Sequence, residues 1–499
     1  MSSSPKNDNP DAMSPIEFEN LRNVTRRHFL AEVAGGLGSV ALASLMGCAG
    51  SGGRDAGLLT DPMAIRPPHL PGRAKSVIFL HMAGAPSQLE MFDFKPDLAK
   101  LHNLDCPPSL LEGKKFAFIR GVPKMLGPQA NFSRHGQSGA WISENLPHFS
   151  GIADQVSFLK AVTTDQFNHA PAQLMVHTGV PRLGRPSIGS WVTYGLGSEN
   201  SDLPGFVVLT SGGKTPDAGK SVWGSGFLPS VYQGVQCRSE GDPVLYLNDP
   251  EGVTRDLKRA TIDAINGVNR LHADAYGDPE TATRIAQYEM AYKMQISVPE
   301  AMNINGEPEH IHQLYGTEPG KESFANNCLL ARKLVEKGVR FVQLFDWGWD
   351  THGDSAGNAV DIGLREKCRM IDRPMTALIL DLKQRGLLDQ TLVVWGSEFG
   401  RTPMQENREG KQMPYYGRDH HLEAFTMWMA GGGIREGTTW GETDEIGYYP
   451  TKGKVTLHDV QATILNQLGL DHEKLTYQFQ GRPFRLTDVA GKVIREIVA

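Results

Sequence analysis

The chain is poor in cysteine. Five residues in 499 (Cys48, Cys106, Cys237, Cys328 and Cys368) include no CxxC pair. An odd, scattered set of this kind excludes a disulfide framework. Cys328 and Cys368 fall in apolar helical patterns, as buried thiols do. Positive charge is not in excess either: 50 Lys and Arg stand against 56 Asp and Glu, a net charge of −6. Nothing is therefore available to neutralise a phosphate backbone, which excludes nucleic acid as a partner. Long hydrophobic runs are missing, which excludes a multi-span membrane protein. No GxGxxG follows the first apolar run, which weighs against a dinucleotide-dependent oxidoreductase. No internal repeat is visible. An apolar share of 40 % excludes a fibrous or wholly disordered chain.

Glycine and histidine are what the sequence does have, 55 and 16 residues respectively. Glycine permits tight turns where backbone approaches a ligand, and histidine permits metal ligation. The amino terminus is distinctive. Thr25-Arg26-Arg27-His28-Phe29-Leu30 precedes a weakly apolar, Gly/Ala-rich run from Ala31 to Met46. Paired arginines ahead of such a run read as a twin-arginine export signal, and the run is too short for a transmembrane helix. Leu45-Met46-Gly47-Cys48 also reads as a lipobox, which would make Cys48 a lipid anchor and the only tie to a membrane. The expected organisation is a signal region over 1–48, a linker over 49–74 and one domain over 75–499. The expected location is the periplasm or cell envelope, reached in the folded state.

The domain reads as α/β. Apolar runs beginning at Ser76, Val156, Phe206, Val339, Thr391 and Phe425 predict strands. Helical patterns run over Glu322–Lys337, Leu364–Arg385 (where Pro374 predicts a kink) and Val460–Leu468, with His458-Asp459 as a cap. Strand and helix alternate, so the sheet is expected to be mostly parallel. The stretch near 211–300, with polar helices near 255–295, reads as an insertion.

Ligands of open α/β sheets bind beyond the carboxyl ends of the strands, so the residues that follow each strand carry the functional signal. These include Asp350-Thr351-His352, Glu398 to Arg401, Gly417-Arg418-Asp419-His420-His421 and Asn168-His169-Ala170-Pro171. Asp350, His352, Glu398 and His420 are the expected ligands of a divalent cation: Zn²⁺, Mn²⁺ or Ca²⁺. His420 and His421 diverge on an extended segment, so one of the two is expected to serve. Arg401 and Arg418 suit an anionic substrate group such as phosphate or sulfate. His169 is the expected covalent group or general base.

In order along the chain stand GAPSQLEMFDFKP (Gly84–Pro96), Asn168–Pro171, His177-Thr178-Gly179, Pro186–Trp191, Trp349–His352, Glu398–Pro403, Gly417–His420 and Gly481-Arg482-Pro483. This series resembles a large bacterial family of twin-arginine-exported, sulfatase-like proteins catalogued as a domain of unknown function. That family is in turn distantly similar to the alkaline phosphatase and sulfatase superfamily. The resemblance covers about Lys75 to Val498 and implies an alkaline-phosphatase-like three-layer sandwich. It also implies a metal-dependent hydrolase of phosphate or sulfate esters, acting on an anionic small molecule or glycan. Departures from the superfamily pattern are specific. The place of the formylglycine motif reads His169-Ala170-Pro171-Ala172-Gln173, so no formylglycine can form. Thr163 and Thr164 lie out of the nucleophile's place. The first strand ends without a metal Asp, for which Glu90 or Asp93 would have to substitute. The alternative is a non-catalytic exported protein that keeps the fold and binds a glycan or partner.

Overall fold

A computed structural model describes residues 61–239, 241, 243–244, 253–276, 279–408 and 410–499. The arginine pair, the apolar run after it and Cys48 lie outside the described residues.

A nine-stranded sheet organises the chain. Its strands are β1 (Ser76–Ala83), β2 (Ser157–Thr163), β3 (Phe206–Ser211), β4 (Val235–Cys237), β5 (Phe341–Trp347), β6 (Thr391–Gly396), β7 (Phe425–Ala430), β8 (Thr439–Trp440) and β9 (Val455–Thr456). They lie side by side as β8-β2-β7-β6-β1-β5-β3-β4, and β9 also pairs with β2. All pairings are parallel except those of β7, which runs against both β2 and β6. The sheet is therefore mixed and mostly parallel.

A parallel sheet is covered on both faces, so its strands are apolar throughout rather than alternating. In β1, Ile78, Leu80 and Met82 join one apolar cluster, and Val77 and Phe79 join another. The first cluster includes Cys328, Leu329 and Leu334 of helix Phe324–Glu336 and Ile371, Met375 and Leu378 of helix Gly363–Gln384. The second takes Leu174 and Val176 of helix His169–Thr178, Trp191 and Val192 of helix Ile188–Leu196, and Val460 and Ile464 of helix Leu457–Gln467. Three layers result, helix on sheet on helix.

Local chemistry sets the helix ends. Ser323 accepts from Asn326 N at the start of Phe324–Glu336. Thr456 and Asp459 form a reciprocal capping box at the start of Leu457–Gln467, while His458 Nε2 donates to Gly179 O at 2.8 Å. Helix Gly363–Gln384 continues through Pro374 as a single helix. Between β4 and β5 lie helices Arg255–Tyr276 and Pro279–Met302, joined by Arg259 to Glu289 at 2.7 Å. The latter packs Met294, Val298 and Ala301 into the first cluster. Residues just ahead of β1 lie on the domain: Met63 and Ala74 are buried, and Arg73 N and Ala74 N donate to Gln467 O.

Register places the site. Met82 is opposite Asp346 and Ala83 opposite Trp347, and on the other side His81 is opposite Gly396. The carboxyl ends of β5, β1 and β6 thus finish together, and the loops that follow them share one edge.

Candidate metal centre

Four side chains meet at that edge. His169, Asp350, His352 and His420 each offer one ligand atom, and these atoms all lie within 4.8 Å of one another. Asp350 and His352 follow β5. His169 opens the helix after β2. His420 lies on a two-residue ladder that pairs it with Arg401. Asp350 Oδ1 is the centre of the group. It lies 2.7 Å from His352 Nε2, 3.2 Å from His169 Nε2 and 3.3 Å from His420 Nε2. His352 Nε2 and His420 Nε2 are 3.2 Å apart.

The far edge of each imidazole is tied. His169 Nδ1 donates to Glu398 Oε1 at 2.8 Å. His352 Nδ1 donates to Glu406 Oε2, and His420 Nδ1 to Phe167 O at 2.5 Å. An N–H spent on a carboxylate or carbonyl fixes the tautomer and leaves the Nε2 lone pair free, the usual outer support of a metal-ligating histidine. Three such lone pairs and one carboxylate oxygen converge here. Ligands at roughly 2.0–2.1 Å around a tetrahedral Zn²⁺ stand about 3.3 Å apart, close to the separations found. His169 Nε2 is moreover buried without an aligned hydrogen-bond partner. The residues fit a divalent cation.

Charge explains the protonation. Burial opposes ionisation of Asp350, but the Arg401 guanidinium and the three imidazoles hold its carboxyl well below the usual carboxylate range. Burial also opposes a charged His169, yet the facing carboxylates of Asp350 and Glu398 raise its pKa to about 9. At His420 burial prevails, and the pKa falls to about 4.

Glu398, expected as a ligand, stands behind His169 instead. It lies two residues past the end of β6 and is fully buried. Its Oε1 accepts from Gly84 N at 2.9 Å and Gln173 Nε2 at 3.2 Å as well as from His169. Gly84 has φ +109°, and a Cβ there would lie 2.7 Å from Asp350 N, so glycine alone allows this approach. The other oxygen of Glu398 faces His81 Nε2 at 3.1 Å. His81 Nδ1 in turn accepts from His177 Nε2 at 3.2 Å, and His177 Nδ1 accepts from Gln343 Nε2 at 3.0 Å. Buried donors thus run from Gln343 through His177 to His81, which faces Glu398, while His169 donates to Glu398 from the other side.

The two arginines are engaged within the protein. Arg401 is fully buried and donates to Ala85 O, Arg418 O, Gly84 O and Asp350 Oδ1. Arg418, equally buried, pairs with Glu90 at 2.6 Å and donates to Leu126 O, Thr402 O and Gly127 O. It lies outside the cluster because every one of these partners holds it elsewhere. Glu90 is thereby used, and Asp93 accepts from Thr443 Oγ1. His421 turns away to donate to Tyr448 O at 2.7 Å. Thr163 Oγ1 donates to Val455 O. The four cysteines among the described residues are buried and do not belong to the cluster.

Sequence reasoning missed His81 and Glu406. His81 carried a signal, since it is the one ionisable residue inside the apolar run Val77–Ala83. Glu406 carried none, because only the fold brings it 54 residues back to His352.

Fold and site define an α/β protein with a cluster of three histidines and one aspartate at the carboxyl edge of its sheet. The chain belongs to the family described as "Protein of unknown function (DUF1501)", which it matches over residues 74–498. No curated protein matches it. Solved structures similar to it include the PsFucS1 sulfatase from Pseudoalteromonas sp., at 13 % identity and a TM-score of 0.37, over 80 % of this chain and 69 % of that one. The alkaline phosphatase from the Antarctic bacterium TAB5 shows 12 % identity and a TM-score of 0.30, over 72 % and 92 %. The phosphonate monoester hydrolase of Agrobacterium radiobacter shows 11 % identity and a TM-score of 0.33, over 79 % and 74 %. Likenesses at this level say nothing of substrate or chemistry.

Proposed function

We propose that this chain is a metal-dependent hydrolase of phosphate or sulfate esters that works without a formylglycine. One observation carries the reading: three imidazoles, each with its Nδ1 edge tied, turn their Nε2 atoms toward one carboxylate oxygen. Asp350, His352 and His420 are the ligands. Three protein ligands leave a position open, as catalytic sites do, and Asp350 keeps a third of its side chain exposed. The imidazole-rich set favours Zn²⁺ or Mn²⁺ over Ca²⁺, which prefers oxygen. When bound, the cation supplies Lewis acidity toward an ester oxygen.

His169 moves the proton. Glu398 holds its Nδ1–H, so Nε2 is the atom that takes a proton from an attacking water. Its pKa of about 9 reflects two facing carboxylates, and a cation on Asp350 offsets one of them. Arg401 positions Asp350, with four of its five N–H donors used within the protein. Export by the twin-arginine route, with or without a lipid on Cys48, completes the proposal. No helix among the described residues is long and apolar enough to cross a membrane.

The deciding experiment is elemental analysis of protein purified without chelators, followed by a panel of phosphate and sulfate esters assayed with Zn²⁺, Mn²⁺ or Ca²⁺. About one bound cation and turnover of at least one ester class are expected. Absence of both sinks the reading. The second reading, a non-catalytic binding protein, is favoured by one observation: buried Arg418, expected to meet the substrate anion, has every donor taken within the protein. A bound cation without turnover would select it.

A further inference from the structure

The chain is acidic overall, yet one strap beside the metal centre is basic. Residues 111–121 read Leu-Glu-Gly-Lys-Lys-Phe-Ala-Phe-Ile-Arg-Gly. The strap is anchored at the site. Phe118 N and Ile119 N donate to Asp419 Oδ2 at 2.8 and 2.9 Å, next to His420. The Phe118 ring stands edge-on to His352 and His420, with centroids 4.9 and 5.6 Å away.

On this strap a cavity of about 430 Å³ is lined by Lys114, Lys115, Phe116, Ile119, Arg120 and Phe167, among others. Phe167 belongs to the metal centre's support as well, because its carbonyl accepts from His420 Nδ1. Lys114, Lys115 and Arg120 are exposed. Lys114 Nζ lies 5.0 Å from the centre of the Tyr449 ring. Arg408, paired with Glu406 at 2.6 Å, stacks on Phe118 at 4.4 Å. Such clustering of one charge sign in a concave, partly apolar wall concentrates anions and directs them.

We infer that this groove is a second anion subsite, so that the substrate is a chain bearing another sulfate or phosphate besides the ester at the cation. This rests on the hydrolase reading for the ester but makes a separate claim about binding. Lys114 and Lys115 supply charge-assisted donors to the second oxyanion, and Arg120, whose guanidinium also donates to Phe116 O, Ala117 O and Ile119 O, adds positive charge. Phe116 and Phe167 supply apolar surface to the chain between the two groups.

Binding separates the two claims. Full-length protein stripped of metal is titrated calorimetrically with a sulfated hexasaccharide, with inorganic tripolyphosphate and with a neutral dextran oligosaccharide. At least one of the two anions is expected to bind, more weakly as salt rises, and the dextran is not. The double variant Lys114→Gln/Lys115→Gln, whose side chains are exposed and whose fold circular dichroism checks, is expected to bind about tenfold more weakly. The arm that binds tells sulfate from phosphate. Equal affinity of variant and wild type, binding of neither anion, or equal binding of dextran overturns the inference. Turnover of a small ester without polyanion binding defeats the subsite alone. Salt-sensitive polyanion binding without any turnover supports the subsite and defeats the hydrolase reading alone.

Discussion

The fully buried Glu398 accepts the Nδ1 proton of the half-buried His169 through Oε1 at 2.8 Å. This contact turns His169 Nε2 toward Asp350 and separates two roles that the sequence could not tell apart. Under the proposed function, a carboxylate expected on the cation supports His169 as the proton carrier instead. His169→Gln is therefore expected to keep its cation and lose turnover by about 100-fold or more. His352→Ala is expected to lose the cation itself. Elemental analysis beside ester assays reads both, and loss of metal in His169→Gln would make His169 a ligand.

Glu406 supports His352 as Glu398 supports His169. It is fully buried, and its second oxygen takes Arg408 Nε at 2.6 Å. Glu406→Gln is expected to weaken cation affinity by about 10- to 100-fold, measured by competition with a chromogenic chelator. Unchanged affinity would mean that His352 is not a ligand.

Arg418 and Glu90 form a buried pair with every donor satisfied, at the junction of the loops after β1 and β6. Removing one partner leaves a buried charge, so Arg418→Met is expected to cost about 3–5 kcal/mol in denaturant unfolding. The double variant Arg418→Met/Glu90→Gln is expected to recover part of that loss. A substrate-binding role for Arg418 would instead leave stability unchanged and weaken substrate binding.

Glu307 links the acid limb of stability to a second buried arginine. Burial disfavours its charge, but hydrogen bonds from Arg332 and Lys333 outweigh this and hold its pKa below the ordinary 4.5. A carboxyl depressed in the folded state stabilises above its unfolded pKa, and that stability is lost as pH falls through the folded value. Glu307→Gln should therefore lower the melting temperature at pH 7 and flatten its fall below about pH 4.5. A parallel offset at every pH would contradict this.

Much of the fold was legible because its signals are local. The apolar runs of β1, β5, β6 and β7 report burial on both faces, which a parallel sheet imposes along each strand separately. Strand ends could be read for the same reason, and with them Asp350, His352, His420 and His169.

Roles within the site were not legible, because they depend on which side chains meet. Glu398 and Asp350 are both carboxylates just past a strand. Gly84 N, Gln173 and His81, drawn from other elements, hold Glu398 back while Asp350 faces the three Nε2 atoms. Arg401 and Arg418 look free for an anion in sequence, and only packing shows Arg401 held by backbone carbonyls and Asp350, and Arg418 by backbone carbonyls and Glu90. The sequence by itself determined the class of fold, the edge on which chemistry is placed and the residue types available there. Tertiary structure alone decided which side chains converge and which stand behind them, because hydrogen-bond partners separated by tens to hundreds of residues are chosen by strand register and packing, not by neighbouring sequence.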